Sequence, residues 1–333
     1  MMNKERALTI KFIGAFLIMT AMFLVAITFG AADTSLRDVF RAIFTGDRSS
    51  TSLVLIEIRF PREVAAIVVG AGLAVSGAIM QGMTRNPLAD PGLLGLTAGA
   101  NAALAVAFAF IPGINYMGII AASFVGAAVG AGLVFGIASL RRGGFSPIRV
   151  VLAGAAVSAF LFAIAEGIAL TFRLSQNVAQ WTAGGLIGTT WSQLNLLIPI
   201  TAGGILAAIL FSKQLTILSL SEEVAVGLGS RIGQVKAVFF VLTVILAGSA
   251  VALAGNLAFA GLLVPHIVRS IVGTDYRYIL PMCVLVGGTF MLFADTAGRL
   301  LNAPFETPVA AIVSVLGLPF FLYVVRKGVN MSA

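Results

Sequence analysis

The sequence predicts an all-α integral membrane protein of about ten transmembrane helices, and three observations carry that prediction. Of the 333 residues, 59% are hydrophobic and only 10% are charged, whereas a soluble domain carries about 25% charged residues. Mean hydropathy is +1.05, and apolar runs of about 20 residues, the length that crosses a hydrocarbon core, recur along the chain. The 37 glycines supply small surfaces on which helices approach closely in lipid.

Taken in order, the expected spans are Phe12–Gly30, Arg62–Met83, Pro91–Ile111, Tyr116–Leu140 and Pro147–Phe172 in the first half. Leu194–Phe211, Val235–Ala254, Phe259–Val272, Ile279–Leu300 and Val309–Val325 follow in the second. The eighth is short and comes directly after Gly255-Asn256, which reads as a tilted or partly re-entrant segment. Residues 1–333 read as one membrane domain, and the basic start Met1–Lys11 reads as the lead-in to a first helix rather than a removed signal. Gly70 with Ala74, Gly72 with Ser76, and Gly126 with Gly130 pair small residues four apart, the spacing of close helix contacts.

Lysines and arginines orient the spans. With the N-terminus cytoplasmic, fourteen of the 21 fall inside and seven outside, and both termini are cytoplasmic. Five of the outside seven lie in one loop, 31–62, which also carries Asp33, Asp38, Asp47 and Glu57. The net charge of +8 reads as basic inner loops facing anionic lipid, not as a nucleic-acid surface. A single cysteine, Cys283, and a single histidine, His266, exclude an intrachain disulfide and a multi-histidine or multi-cysteine metal site. No glycine-rich loop followed by Lys and Ser or Thr is present, so the chain binds no nucleotide by that route.

Lys213–Lys236 is a polar interval between two long apolar spans, and it reads as structured. Ser219 with Glu222 reads as a capping box, and Glu222 and Glu223 sit where a helix dipole favours negative charge. Leu220, Val224 and Leu228 form one apolar stripe, and Gly227 and Gly229 mark the end. Periodicity leaves two readings open: a loop helix packed on its own protein, or a surface helix pushed by another subunit.

Ionisable residues inside spans cost about 2.5–3.5 kcal/mol each at a helix centre. Glu166 either faces a water-filled path or stays hydrated near the outer surface. Asp295 and Arg299 are four apart and read as a local pair. His266 follows Pro265 and is either a packed side chain or a proton relay. Arg59 and Arg62 flank Pro61, a helix-start residue. They serve either as interfacial anchors or as clamps for carboxylates of a docking protein, and their place on the outer side favours the clamp. A proton-coupled secondary transporter using Glu166, Asp295 and His266 stands as the alternative function.

Six motifs in order then carry a resemblance. QGMTRNPLADPGLLG (81–95), IRFPR (58–62), LAGAAVSA (152–159), SLSEEVAVGLG (219–229), GLLVPHIVR (261–269) and LNAPFETPVAAIVSVLGLPFFLYVVRK (301–327) closely resemble the permease subunits of ABC importers for ferric siderophores, haem and vitamin B12. The resemblance implies a non-catalytic, dimeric permease of a type II ABC importer in a prokaryotic cell membrane, with a ferric siderophore as the foremost cargo. It implies cytoplasmic ATPase subunits, which use ATP and Mg while this chain binds no cofactor. They would dock on the 213–236 loop at Ser219, Glu222, Glu223, Ala225, Leu228 and Gly229. It implies an extracytoplasmic binding protein held by Arg59, Arg62 and Arg299, and a second permease subunit, the same chain or a homologue. The path would run along the fifth and tenth spans, with a cytoplasmic gate near Ser146, Pro147, Ile148 and Arg149. Glu166 departs from the family's apolar or hydroxylic residue there. Pro147 and Ile148 depart from its small hydroxylic gate residues.

Overall fold

The computed structural model describes residues 2–30, 34–45, 47, 49–139, 147–220, 222–227, 231–303 and 305–330. Among them the helices are α1 (Met2–Thr28), α2 (Leu36–Phe44), α3 (Ser50–Val54), α4 (Phe60–Thr84), α5 (Leu96–Phe110), α6 (Tyr116–Ser139), α7 (Pro147–Thr171) and α8 (Ser175–Thr182). They continue with α9 (Trp191–Leu210), α10 (Ser212–Leu220), α11 (Glu222–Gly227), α12 (Ile232–Ala254), α13 (Ala260–Val272), α14 (Tyr276–Leu300) and α15 (Val309–Asn330). Each of the ten predicted spans has its helix. Seven segments are long and apolar enough to cross a membrane, and three shorter apolar helices, α5, α13 and the Val309–Val324 part of α15, make up the ten.

The first span begins earlier than predicted, since α1 already runs from Met2, and two others also begin elsewhere. The second starts at Ser50, not Arg62, because a π turn at Leu55–Arg59 joins α3 to α4 without a break, giving 35 helical residues. Trp191 donates its indole N–H to the Ile56 carbonyl at that turn (2.8 Å). The third starts at Leu96 rather than Pro91. Asp90 accepts from the Gly92 N–H, Pro91–Leu94 form a 3-10 turn, and Gly95 at φ 72° reverses the backbone before α5. The eighth is short, as expected: Gly255 (φ 70°) and Phe259 (φ 67°) hold the preceding residues out of the helix.

The most deeply buried helix is α4, packed against α14, α12, α13 and α9, whereas α1 and α7 lie at the periphery. Missing side chains make that centre possible. A Cβ on Gly70 would enter the Gly287 carbonyl, and one on Gly77 would enter that of Gly261. Gly126 and Gly130 stand in the same relation to Gly99 and Gly95. The predicted small-residue pairs are thus the points where backbones touch. Polar side chains serve backbone groups in the same core. Pro265 has no N–H, so the Gly261 carbonyl four residues earlier loses its helical donor. Gln81 of α4 donates to the Gly261 and Leu262 carbonyls at 3.4 and 3.3 Å, and accepts in turn from Arg269.

Extra methyl groups forced into a tight core cost about 1–3 kcal/mol. Gly77→Ala is therefore expected to lower the thermal unfolding midpoint in detergent clearly. Gly132→Ala, where a Cβ meets nothing within 4 Å, should not. Equal midpoints would show that the α4–α13 contact is loose.

Candidate coupling and translocation site

Three places in the bundle gather the candidate residues, and the first is the predicted surface helix. It is two helices rather than one, α10 and α11. Ser219, the predicted start of the capping box, lies inside α10 and donates its hydroxyl to the Thr216 carbonyl at 2.7 Å, whereas the Glu222 side chain that would complete the box lies outside the described residues. A residue already in helical conformation cannot serve as the cap of the next helix. Ala225 is fully buried, whereas Leu220 and Val226 are 64% and 62% exposed and Val224 is exposed as well. Leu220 and Val224, the described members of the predicted apolar stripe, are therefore not covered by their own chain. Leu228 and Gly229 lie outside the described residues, as do the side chains of Glu222 and Glu223. α10 is anchored to the start of α14: Thr216 Oγ1 accepts from the Tyr276 N–H (3.1 Å) and lies 3.2 Å from Asp275 Oδ1. Asp275 caps α14 by accepting from the Arg277 N–H, and its hydrogen bonds from the Arg277 guanidinium hold its carboxyl below the usual carboxylate range.

The second place is a cavity of about 600 Å³. Val151, Ser158 and Phe162 of α7 and Leu318 and Phe321 of α15 form one side of it, and Phe259 and the turn carrying Asp90 the other. The 81–95 motif builds that turn. Arg85 adopts φ 52°, Asn86 Oδ1 accepts from the Leu88 N–H (2.9 Å), and Asp90 accepts from the Gly92 N–H (2.7 Å). Pro91 then packs on Gly261. Burial pushes the Asp90 carboxyl up to about 6, against the lowering by that Gly92 hydrogen bond. From sequence the motif promised only a tight connection. Asp90, Phe162, Phe259 and Phe321 come together through folding, and the aspartate between two prolines and glycines was the sole local signal.

The third place is a charged cluster at the opposite end of α4 and α14 from α10. The Arg62 guanidinium donates to Asp295 (2.9 Å) and to Glu306 (2.9 and 3.0 Å). Arg299 donates to Glu63 at 2.6 Å and to the Ala26 and Phe29 carbonyls, and its Nε lies 3.1 Å from Asp295. Arg59 donates to the Ile27 and Thr28 carbonyls and to Thr34 Oγ1. Of the three arginines, two are buried within the bundle. Arg59 and Arg299 are each only 6% exposed: Glu63, Asp295 and the Ala26 and Phe29 carbonyls lie against Arg299, and the Ile27 and Thr28 carbonyls accept from Arg59. Arg62 shares its charge between a buried and a partly exposed carboxylate. The Asp295–Arg299 pair forms, but within this larger network.

The other candidates are scattered. Ser146 lies outside the described residues, as do the side chains of Pro147 and Ile148. Arg149 is half-buried in the first turn of α7. Glu166 stands on the exposed face of α7. The His266 ring packs edge-on against Phe320 at 5.3 Å. With Asp295 between two arginines, the trio of the proton-coupled alternative sits in three separate settings.

Residues 17–327 match the FecCD transport family. The chain is 48% identical over 303 residues to the iron(3+)-hydroxamate import system permease protein FhuB of Bacillus subtilis, covering 91% of this chain and 79% of that one. It is 38% identical to the Fe(3+)-citrate import system permease protein YfmD of the same organism, covering 91% and 90%. A solved structure of a metal-chelate type ABC transporter in an inward-facing conformation superposes with a TM-score of 0.82 at 26% identity, over 95% of this chain and 98% of that one.

Removing one partner of a buried ion pair costs about 3–5 kcal/mol, whereas an exposed pair is worth about 0–1 kcal/mol. Arg299→Met is therefore expected to lower the unfolding midpoint sharply, and Glu306→Gln, at a carboxylate whose side chain is 28% exposed, to leave it nearly unchanged. Similar shifts would place both pairs in water. Asp90 supplies a pH test. Its carboxyl rises from 3.8 to about 6 on folding, so ionisation opposes the folded state as pH climbs through that window. Asp90→Asn keeps an acceptor for Gly92 and removes the charge. It should be more stable than the parent at pH 8 and no more stable at pH 3.5, by thermal unfolding at both.

Proposed function

Since the chain belongs to the FecCD transport family, we propose that it is the membrane-spanning permease subunit of an ATP-binding-cassette importer that carries a ferric siderophore inward. The observation that carries this reading is the family match over nearly the whole chain, together with relatives named as permeases of iron-chelate import systems. The cavity between α7 and α15 supports it from the structure. It is large enough for part of a chelate and lined chiefly by apolar and aromatic groups, and the adjoining faces of both helices are left exposed for a second permease subunit to complete.

In this reading the lysine and arginine distribution puts α10 and α11 in the cytoplasm. Their exposed stripe at Leu220, Val224 and Val226 seats the ATPase subunit, with Ser219, Glu222, Glu223, Ala225, Leu228 and Gly229 at or beside the contact. A push on α10 reaches α14 through Thr216, Asp275 and Tyr276. α14 carries it on as one helix from Tyr276 to Leu300, with Pro281 interrupting its hydrogen-bond ladder near the start. The α7–α15 cavity then changes the side to which it opens. Nucleotide hydrolysis stays with the partner. The gate lies near the start of α7 at Ser146–Arg149. A binding protein on the far side meets the charged cluster through Arg62 and Glu306, the members with exposed surface, while Arg59 and Arg299 shape that end from within.

Leu220→Asp combined with Val226→Asp replaces two exposed apolar side chains and should leave the fold intact. The expected outcome is a permease that purifies at normal yield from its source membrane without the ATPase subunit and supports no ferric siderophore uptake. The parent chain brings the ATPase with it. Concentrative uptake by the isolated chain in liposomes, with no ATPase present, would overturn the reading.

A further inference from the structure

α1 touches the rest of the bundle at separated points. Met19 packs over Gly288 of α14, and Lys11 donates through Nζ to the Ile271 carbonyl at the end of α13 (2.5 Å). Beside these contacts runs a groove of about 790 Å³, walled by α1 on one side and by α13 and α14 on the other. Gly14, Ile18, Met22, Val286, Phe290 and Phe293 are among its lining residues. The one hydroxyl in it, on Thr289, is already bound to the Leu285 carbonyl (2.8 Å). The wall along α1 runs from Lys11 to Val25, a rise of about 21 Å at 1.5 Å per residue. That exceeds the roughly 15 Å half-thickness of a hydrocarbon core. Water gains nothing in such a groove, since it offers almost no polar partner.

Two features set this groove apart from a packing defect. Gly14 has no structural reason to lack a side chain: a Cβ there meets nothing within 4 Å, so its absence only keeps the groove open. Lys11 stands exposed at the mouth. Its ammonium has three donors, and the Ile271 carbonyl takes one. Arg6, also exposed, lies nearer the N-terminus on α1. A positive group at the end of an apolar slot matches a molecule with an anionic head and a hydrocarbon tail.

We propose that this groove is a binding site for one anionic phospholipid, with an acyl chain between α1 and α14 and the phosphate at the Lys11 ammonium. The site would add to the protein contacts that fasten α1 to the bundle. It depends only on the chain's being in a membrane, not on its cargo. A basic group at the membrane surface is worth about a fivefold preference for an anionic lipid.

The test is native mass spectrometry of the full chain released from nanodiscs of equal phosphatidylglycerol and phosphatidylcholine. The parent protein should retain one phosphatidylglycerol, favoured about fivefold over phosphatidylcholine. Gly14→Leu places a side chain in the groove, where its Cβ meets no protein atom within 4 Å, and should lose the retained lipid. Gly132→Leu, at another open glycine on α6, should keep it and so controls for the added bulk. Lys11→Gln should retain a lipid but choose between the two equally. The proposal fails if the parent retains both lipids equally or none, or if Gly14→Leu keeps the lipid at the parent's stoichiometry.

Discussion

The contact between α4 and α14 is the constraint on which the rest of this bundle depends. The two backbones meet at Gly70 and Gly287, where neither residue has a side chain to hold them apart. Only at that separation can Arg62 and Glu63 at the start of α4 reach Asp295 and Arg299 near the end of α14. Charges inside a low-dielectric bundle are tolerated when they are paired and hydrogen-bonded, and costly when one partner is missing. The glycines and the ion pairs therefore require each other. A wider gap would strand four charges, and unpaired charges would push the helices apart.

That pair of helices also joins the two ends of the molecule. At one end α14 begins on Asp275, bound to α10 through Thr216 and the Tyr276 N–H. At the other it carries the network that holds the end of α1 through Arg299. α4 runs beside it, from Arg62 to Gln81, which repairs the carbonyl left open by Pro265 in α13. A displacement of α10 thus has a continuous packed route through the centre of the bundle, by way of α14 and its interior Pro281. The cavity at α7 and α15 lies on the looser flank, where the helices are more exposed and can rearrange. A rigid centre with a yielding flank is what alternating access by a subunit without its own energy source demands.

Sequence reasoning was sound where the signal is one-dimensional and weaker where it depends on which side chains meet. Hydropathy located all ten spans, because the solvent around them is uniform and every helix must satisfy its own backbone there. It misplaced the start of the second, since a π turn hides no differently in composition from an α turn. The capping box at Ser219 had the right residues at the right spacing, but α10 continues through Ser219 and uses its hydroxyl internally. Arg59, Arg62 and Arg299 were expected to act together. Their partners, Glu63, Asp295, Glu306 and the carbonyls of α1, come from four different stretches of chain, and no local pattern announces them.

By itself, the sequence determined the class of molecule, the number and order of its spans, the absence of a nucleotide loop and the glycines on which helices close, because each follows from composition or spacing along a single strand of chain. Only the tertiary structure decided that two of the three arginines are buried, that Asp90 faces the α7–α15 cavity, that Leu220, Val224 and Val226 are left uncovered, and that a slot opens beside Gly14. Each of those depends on which groups from distant segments share a space. Burial and pairing are properties of that shared space, not of the residues that enter it.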